Sequence, residues 1–319
     1  MTVKYAVDSD LLPFLPIFDS FRYDLEALPS TRARLLEMLA GATPPLPAGV
    51  TKQKCFTPAS ATGPAVRLLV YRPQQGGGGS PALLNIHGGG YVAGAPEMQE
   101  ADNARMAAEL GLVVVSPDYR LAPETRYPGP IEDCYAALAW MNAQASELGI
   151  DPTRIAISGE SAGGGLAATL ALLARDRNEY SIAFQRLIFP MLDDRVRQPD
   201  SASAEFGQHV WTREGNSFGW SCLLGDAQGG PDVPGYAAAA RANDLAGLAP
   251  AFIACGALDF LLDENLEYAR RLVHAGVRTE LHLYPGAPHA FTLMAGAYSY
   301  QRFHSDSDAA LRQALNIAL

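Results

Sequence analysis

Short apolar, β-branched runs alternate with stretches of helical length along most of this chain, and that alternation limits its fold more than any other feature. The runs cover residues 66–71, 82–87, 112–116, 154–158, 185–189, 252–255 and 280–284. Runs apolar at nearly every position read as strands buried on both faces, and strands separated by helices require a mainly parallel sheet with helices on both sides. With residues 51–57 as a further strand, about eight are expected. The flexible turn Gly76-Gly77-Gly78-Gly79 joins early strands and predicts an antiparallel hairpin at the start of the sheet.

Directly after the run 154–158 comes Gly159-Glu160-Ser161-Ala162-Gly163, followed by Gly164-Gly165-Leu166. A serine on a sharp turn between a strand and a helix has its hydroxyl exposed, with the helix amides behind it facing any developing negative charge. Glycines flank such a serine because neighbouring backbones come close. Ser161 is therefore the candidate nucleophile. The same spelling recurs in Gly215-Asn216-Ser217-Phe218-Gly219, but that match follows Trp211-Thr212-Arg213-Glu214, which is no buried strand, so Ser217 is read as a packing residue.

A serine hydroxyl needs a base to take its proton and a third group to orient the base, and in a sheet of this kind the chain order is serine, acid, histidine. The run 251–257 ends in Leu258-Asp259-Phe260, and the next ends in Pro285-Gly286-Ala287-Pro288-His289. Asp259 and His289 thus fall where the chemistry needs them. Asp263 and Glu264 are alternative acids, although they open a helix whose dipole acidic residues commonly complement. His282 alternates with Leu281 and Leu283 and points to the other face of its strand; His274 sits at a helix end, and His209 and His304 lie away from strand ends. After the run 82–87, His87-Gly88-Gly89-Gly90 lets backbone amides turn toward an oxyanion, so Gly88, Gly89 and Ala162 are the expected donors. His87 and Gly90 are expected to support that loop, and Glu160 to support the elbow or the Asp259 loop.

At 319 residues the chain has room for one large α/β domain with an inserted subdomain. A net charge of −10 with no Lys/Arg cluster argues against nucleic acid and acidic membranes as partners. No apolar run reaches the length of a membrane span, and Met1 to Asp8 lack the charged head and apolar core of a secretory signal, so a cytoplasmic location is expected. Cys55, Cys134, Cys222 and Cys255 are scattered and read as free thiols; no metal site is expected. Two regions break the alternation: residues 1–48, with the aromatic-rich stretch 11–23, a helix-like 31–39 and a Pro-rich close at 43–47, and residues 192–246. Connections this long read as a lid over the site, with packed periphery as the alternative.

Together, His87-Gly88-Gly89-Gly90, Asp118-Tyr119-Arg120-Leu121-Ala122-Pro123-Glu124, Asp151-Pro152-Thr153-Arg154-Ile155, the Ser161 elbow, Asp259 and His289-Ala290-Phe291 resemble the hormone-sensitive lipase family of bacterial carboxylesterases, in matching order over roughly residues 60–295. Heroin-esterase-like members are similar in Gly163-Gly164-Gly165 and in Phe189 to Arg195. The resemblance implies an eight-stranded α/β-hydrolase fold, with a core of residues 49–191 and 247–319 and a cap of residues 1–48 and 192–246. It also implies a homodimer through the eighth strand and last helix. Three positions depart from the family pattern: Phe260 replaces a proline after the acid, Glu160 replaces the commoner aspartate, and Ala290 replaces a glycine after the histidine.

The function expected is a serine carboxylesterase for short- to medium-chain esters, working without cofactor, with Tyr91, Trp211 and the aromatic N-terminal segment closing the substrate pocket. The alternatives are an amidase or an esterase dedicated to one acetylated, drug-like substrate, a non-catalytic small-ligand receptor on the same fold, and a pure interaction module. Receptors of this fold lose the histidine that His289 represents, and an interaction module has no use for three catalytic elements in order.

Overall fold

The computed structural model describes residues 6–42, 45–60, 63–74, 78–196 and 206–318; of residues 39–42 only the backbone is described. The expectations resting on Met1 to Tyr5, Thr43, Pro44, Gly76, Gly77 and residues 197–205 lie outside these ranges. Among the described residues eight strands are present: β1 (Val50–Phe56), β2 (Arg67–Pro73), β3 (Ser80–Ile86), β4 (Val113–Pro117), β5 (Ile150–Glu160), β6 (Phe184–Ile188), β7 (Ala251–Gly256) and β8 (Thr279–Tyr284). Among them run α1 (Leu15–Phe18), α2 (Leu28–Ala42), α3 (Glu100–Leu110), α4 (Gly129–Ala143), α5 (Ala145–Leu148), α6 (Ala162–Arg177), α7 (Arg213–Leu224), α8 (Leu262–His274) and α9 (Tyr298–Ala314).

The strands form one sheet in the order β1-β2-β4-β3-β5-β6-β7-β8. From β4 to β8 all pairings are parallel, while β2 runs antiparallel to both β1 and β4. The hairpin expected at the start of the sheet therefore exists, but it joins β1 to β2 through residues 57–66. The glycine run leads from β2 to β3, which are not neighbours because β4 lies between them. Strand alternation splits the apolar residues into two cores: Ile155 and Ile157 of β5 face the layer of α4 and α6, whereas Ala156 faces the layer of α3 and α9. The result is a three-layer α/β/α molecule whose central strands are buried on both sides.

This topology collects the carboxyl ends of β3, β5, β7 and β8 along one edge, where ligands bind in open parallel sheets. After β6 the chain leaves this edge through Asp193 and Asp194. Asp194 is fully buried and pairs with Arg241 at 2.7 Å while also accepting from the amide of Gly229. Removing one partner of a buried pair strands the other charge, so Asp194→Ala is expected to destabilise the fold by about 3 kcal/mol. A lowered thermal and urea midpoint would record it, and an unchanged midpoint would show that the pair carries no stability.

Candidate active site

At the end of β5 the backbone of Ser161 takes φ 55° and ψ −120°, and α6 begins at the next residue. A positive φ is costly for a residue with a β-carbon and persists only where its surroundings fix it. Here the Ser161 amide donates to the Ile188 carbonyl at 2.9 Å, and its own carbonyl accepts from Gly165 and Met191 at 2.9 and 3.0 Å. A β-carbon at Gly163 would run into the backbone of Ile86 and His87, and one at Gly159 into the carbonyl of Gly163. The elbow thus needs glycine at both places. Tyr91, Phe189, Val210 and Ala290 also have positive φ, which places much of the strain in this chain around the same site.

The structure brings the three expected side chains into one hydrogen-bonded line. His289 Nε2 lies 2.9 Å from Ser161 Oγ, and His289 Nδ1 lies 2.7 Å from Asp259 Oδ2. All three are buried, Asp259 completely. The other carboxylate oxygen of Asp259 accepts from the amide of Leu261 at 2.9 Å, a side-chain turn that closes the acid loop without the family's proline at Phe260. The acid and histidine loops are clamped together, since Ala257 donates to Tyr284 and Leu258 to Ala287. Ala290 occupies the left-handed region at φ 58°, where the family's glycine carries no strain. Ser217 lies inside α7, Glu264 is half-buried and accepts from the amide of Leu192, and His274 ends α8. Glu264, the alternative acid among them, bonds to the amides of Leu192 and Asp193 and not to His289.

Facing the serine, the glycine run after β3 turns sharply, with Gly89 at φ 117° and Gly90 at φ 63°. Among the described residues, no backbone acceptor engages the amides of Gly88, Gly89 or Ala162. Three free donors beside one serine hydroxyl suit an oxyanion. His87 anchors this loop: its ring stacks on Tyr119 at 4.2 Å, and its Nδ1 donates to the Gly88 carbonyl at 2.8 Å. Burial lowers its pKa to about 4, so the ring is neutral. At Gly90 a β-carbon would strike the ring of Trp211.

Above Ser161 lies a narrow cavity of about 80 Å³, walled by Phe18, Phe21 and Tyr23 from the N-terminal segment and by Val210 and Trp211 from the insertion. Trp211 stacks 6.0 Å from the His289 ring. Asp19 ties the two segments together, accepting from His209 Nδ1 and from the Val210 amide, both at 2.8 Å. Tyr91, expected in the pocket, is not in its wall. Its ring packs against Trp220 and its hydroxyl donates to Met191, because the turn at Gly89 and Gly90 swings it beneath the loop. Glu160, expected to support the elbow or the Asp259 loop, lines the cavity, and burial pushes its carboxyl up to about 7. Gln99 and Phe189 also line the cavity and were missed from sequence, although Phe189 follows β6 at the strand end where sites form.

A family profile described as alpha/beta hydrolase fold matches residues 83–293. Esterase LipI of Mycobacterium tuberculosis is 35% identical over 218 residues, 68% of this chain and 67% of that protein. Ethyl acetate hydrolase of Pseudomonas putida is 34% identical over 251 residues, covering 75% and 76%. The solved structure of a bacterial heroin esterase superposes with a TM-score of 0.91 at 40% identity, covering 97% of this chain and 98% of the other. On the profile match and these relatives, this chain belongs to the α/β-hydrolase family, in the hormone-sensitive-lipase-like group of carboxylic ester hydrolases.

Proposed function

We propose that the protein hydrolyses short-chain carboxylic esters through an acyl-enzyme on Ser161. The observation that carries this reading is the unbroken line from Asp259 through His289 to Ser161 Oγ, at 2.7 and 2.9 Å. His289 Nε2 takes the hydroxyl proton as Oγ bonds to the ester carbonyl carbon, and the carbonyl oxygen, now negative, is held by the amides of Gly88, Gly89 and Ala162. The intermediate collapses, the ester C–O bond breaks, and His289 gives its proton to the departing alcohol. Water then repeats the cycle on the acyl group, releasing the acid and restoring the serine. Asp259 keeps the proton of the neutral ring on Nδ1 and stabilises the imidazolium that forms.

Residues 1–48 and 192–246 act in this reading as a cap on the core of residues 49–191 and 247–319, supported by the aromatic rings each contributes to the cavity. The narrow cavity supports the short-chain preference. Initial rates on p-nitrophenyl acetate, butyrate, octanoate and palmitate are expected to fall steeply beyond butyrate, whereas faster turnover of the long esters would overturn the preference. A cytoplasmic location is supported by the free cysteines, three of them buried. Among the described residues no helix is long and apolar enough to cross a membrane. A homodimer through β8 and α9 is supported by Leu281 and Leu283, which stand exposed on the edge strand. Light scattering should find a dimer that Leu283→Asp dissociates; a monomeric wild type would exclude it.

A further inference from the structure

The ester chemistry leaves one carboxyl group in the cavity wall without a role. Glu160 ends β5 one residue before Ser161 and is half-buried. It is the one carboxyl among the described residues lining the cavity, and no Lys or Arg joins it there. The cation whose field reaches it, Arg186 of β6, is already engaged: its guanidinium donates to Ser307 at 2.6 Å and Ser158 at 3.1 Å and lies 3.6 Å from Asp102 of α3. Glu160 therefore has no ion-pair partner of its own among the described residues, and a carboxylate drawn out of water without a counter-ion is costly.

A second group points the same way. Gln99 lines the same cavity and is only 6% exposed, yet its Oε1 accepts no hydrogen bond. Glu160 and Gln99, one of them able to carry a charge, thus border a cavity whose other walls include the rings of Phe18, Phe21 and Trp211. Burial and Asp102 push the Glu160 carboxyl up, while Arg186, Thr292 and Gln99 pull it down. The balance near 7 leaves it neutral in acid and anionic above neutral pH. A group that supplies N–H donors and positive charge complements the Glu160 carboxylate, and the aromatic walls favour a cation further. A carboxylate-bearing ester is repelled by the ionised Glu160.

We propose that Glu160 and Gln99 form a subsite for a protonated amine carried by the ester, so that ammonium-bearing esters are preferred over neutral esters of the same shape. The inference rests on the esterase reading of the same cavity. Its test compares 2-(dimethylamino)ethyl acetate with 3-methylbutyl acetate, its neutral carbon counterpart, just above neutral pH. The ratio of the two kcat/KM values is expected to favour the amine in the wild type, to fall about tenfold in Glu160→Gln and to fall less in Gln99→Leu. A ratio unchanged by Glu160→Gln, or a wild type that prefers the neutral ester, would overturn the proposal. Calorimetric titration of the wild type with 2-(dimethylamino)ethanol and 3-methylbutan-1-ol gives a second readout that needs neither turnover nor a folded variant. Tighter binding of the amine supports the subsite, and equal or weaker binding refutes it. A wild type that binds the amine more tightly but hydrolyses no ester would refute the esterase reading instead.

Discussion

Replacing Ser161 by alanine is expected to lower kcat on p-nitrophenyl acetate by at least about 10⁴-fold with little change in thermal stability. The hydroxyl is the atom that bonds to the ester carbon, and among the described residues Ser161 Oγ is the hydrogen-bond partner of His289 Nε2. What remains is the activity of a cavity that binds and polarises an ester without attacking it. Since the serine and histidine act as a unit, His289→Ala should cost a similar factor and the double variant hardly more than either alone. Near-full activity in Ser161→Ala would remove the nucleophile from the mechanism proposed above.

Asp259→Asn is expected to cost about 10³- to 10⁴-fold in kcat while leaving the fold intact. The reason is a matter of donors and acceptors. One carboxylate oxygen accepts from the Leu261 amide and the other from His289 Nδ1. An asparagine satisfies the Leu261 amide with its oxygen, which turns its NH₂ toward His289 and makes Nδ1 an acceptor. The ring proton then moves to Nε2, the nitrogen that must take the proton of Ser161. Rates measured with circular dichroism as a check on folding will decide; a loss below about tenfold would mean that another group orients the histidine.

Much of this was legible in the sequence because buried parallel strands are written as short apolar runs, and each functional group sits just beyond one. Ser161, Asp259, His289 and the glycines after β3 could be placed from strand ends alone, and the structure brings them together as expected. Strand neighbours are a different matter. Residues 76–79 read as a hairpin turn because glycine runs suit turns, but β4 enters the sheet between β2 and β3, and sequence order carries no record of that crossover. The start of β5 was hidden by Pro152 and by exposed residues at its entry. Tyr91 was misplaced because φ 66° reverses the direction a side chain takes after a glycine turn. Gln99 gave no signal, being a polar residue in a short 3₁₀ turn after β3 whose burial depends on how the N-terminal segment folds over the sheet.

The most direct test of an acyl-enzyme on Ser161 is to trap it. Treated with diethyl p-nitrophenyl phosphate, the wild type should release one equivalent of p-nitrophenol per chain, lose its esterase activity in proportion, and carry a single diethylphosphoryl group on the peptide that contains Ser161. Ser161→Ala should release none. A stable adduct on any other residue, or complete modification with activity retained, would contradict the account.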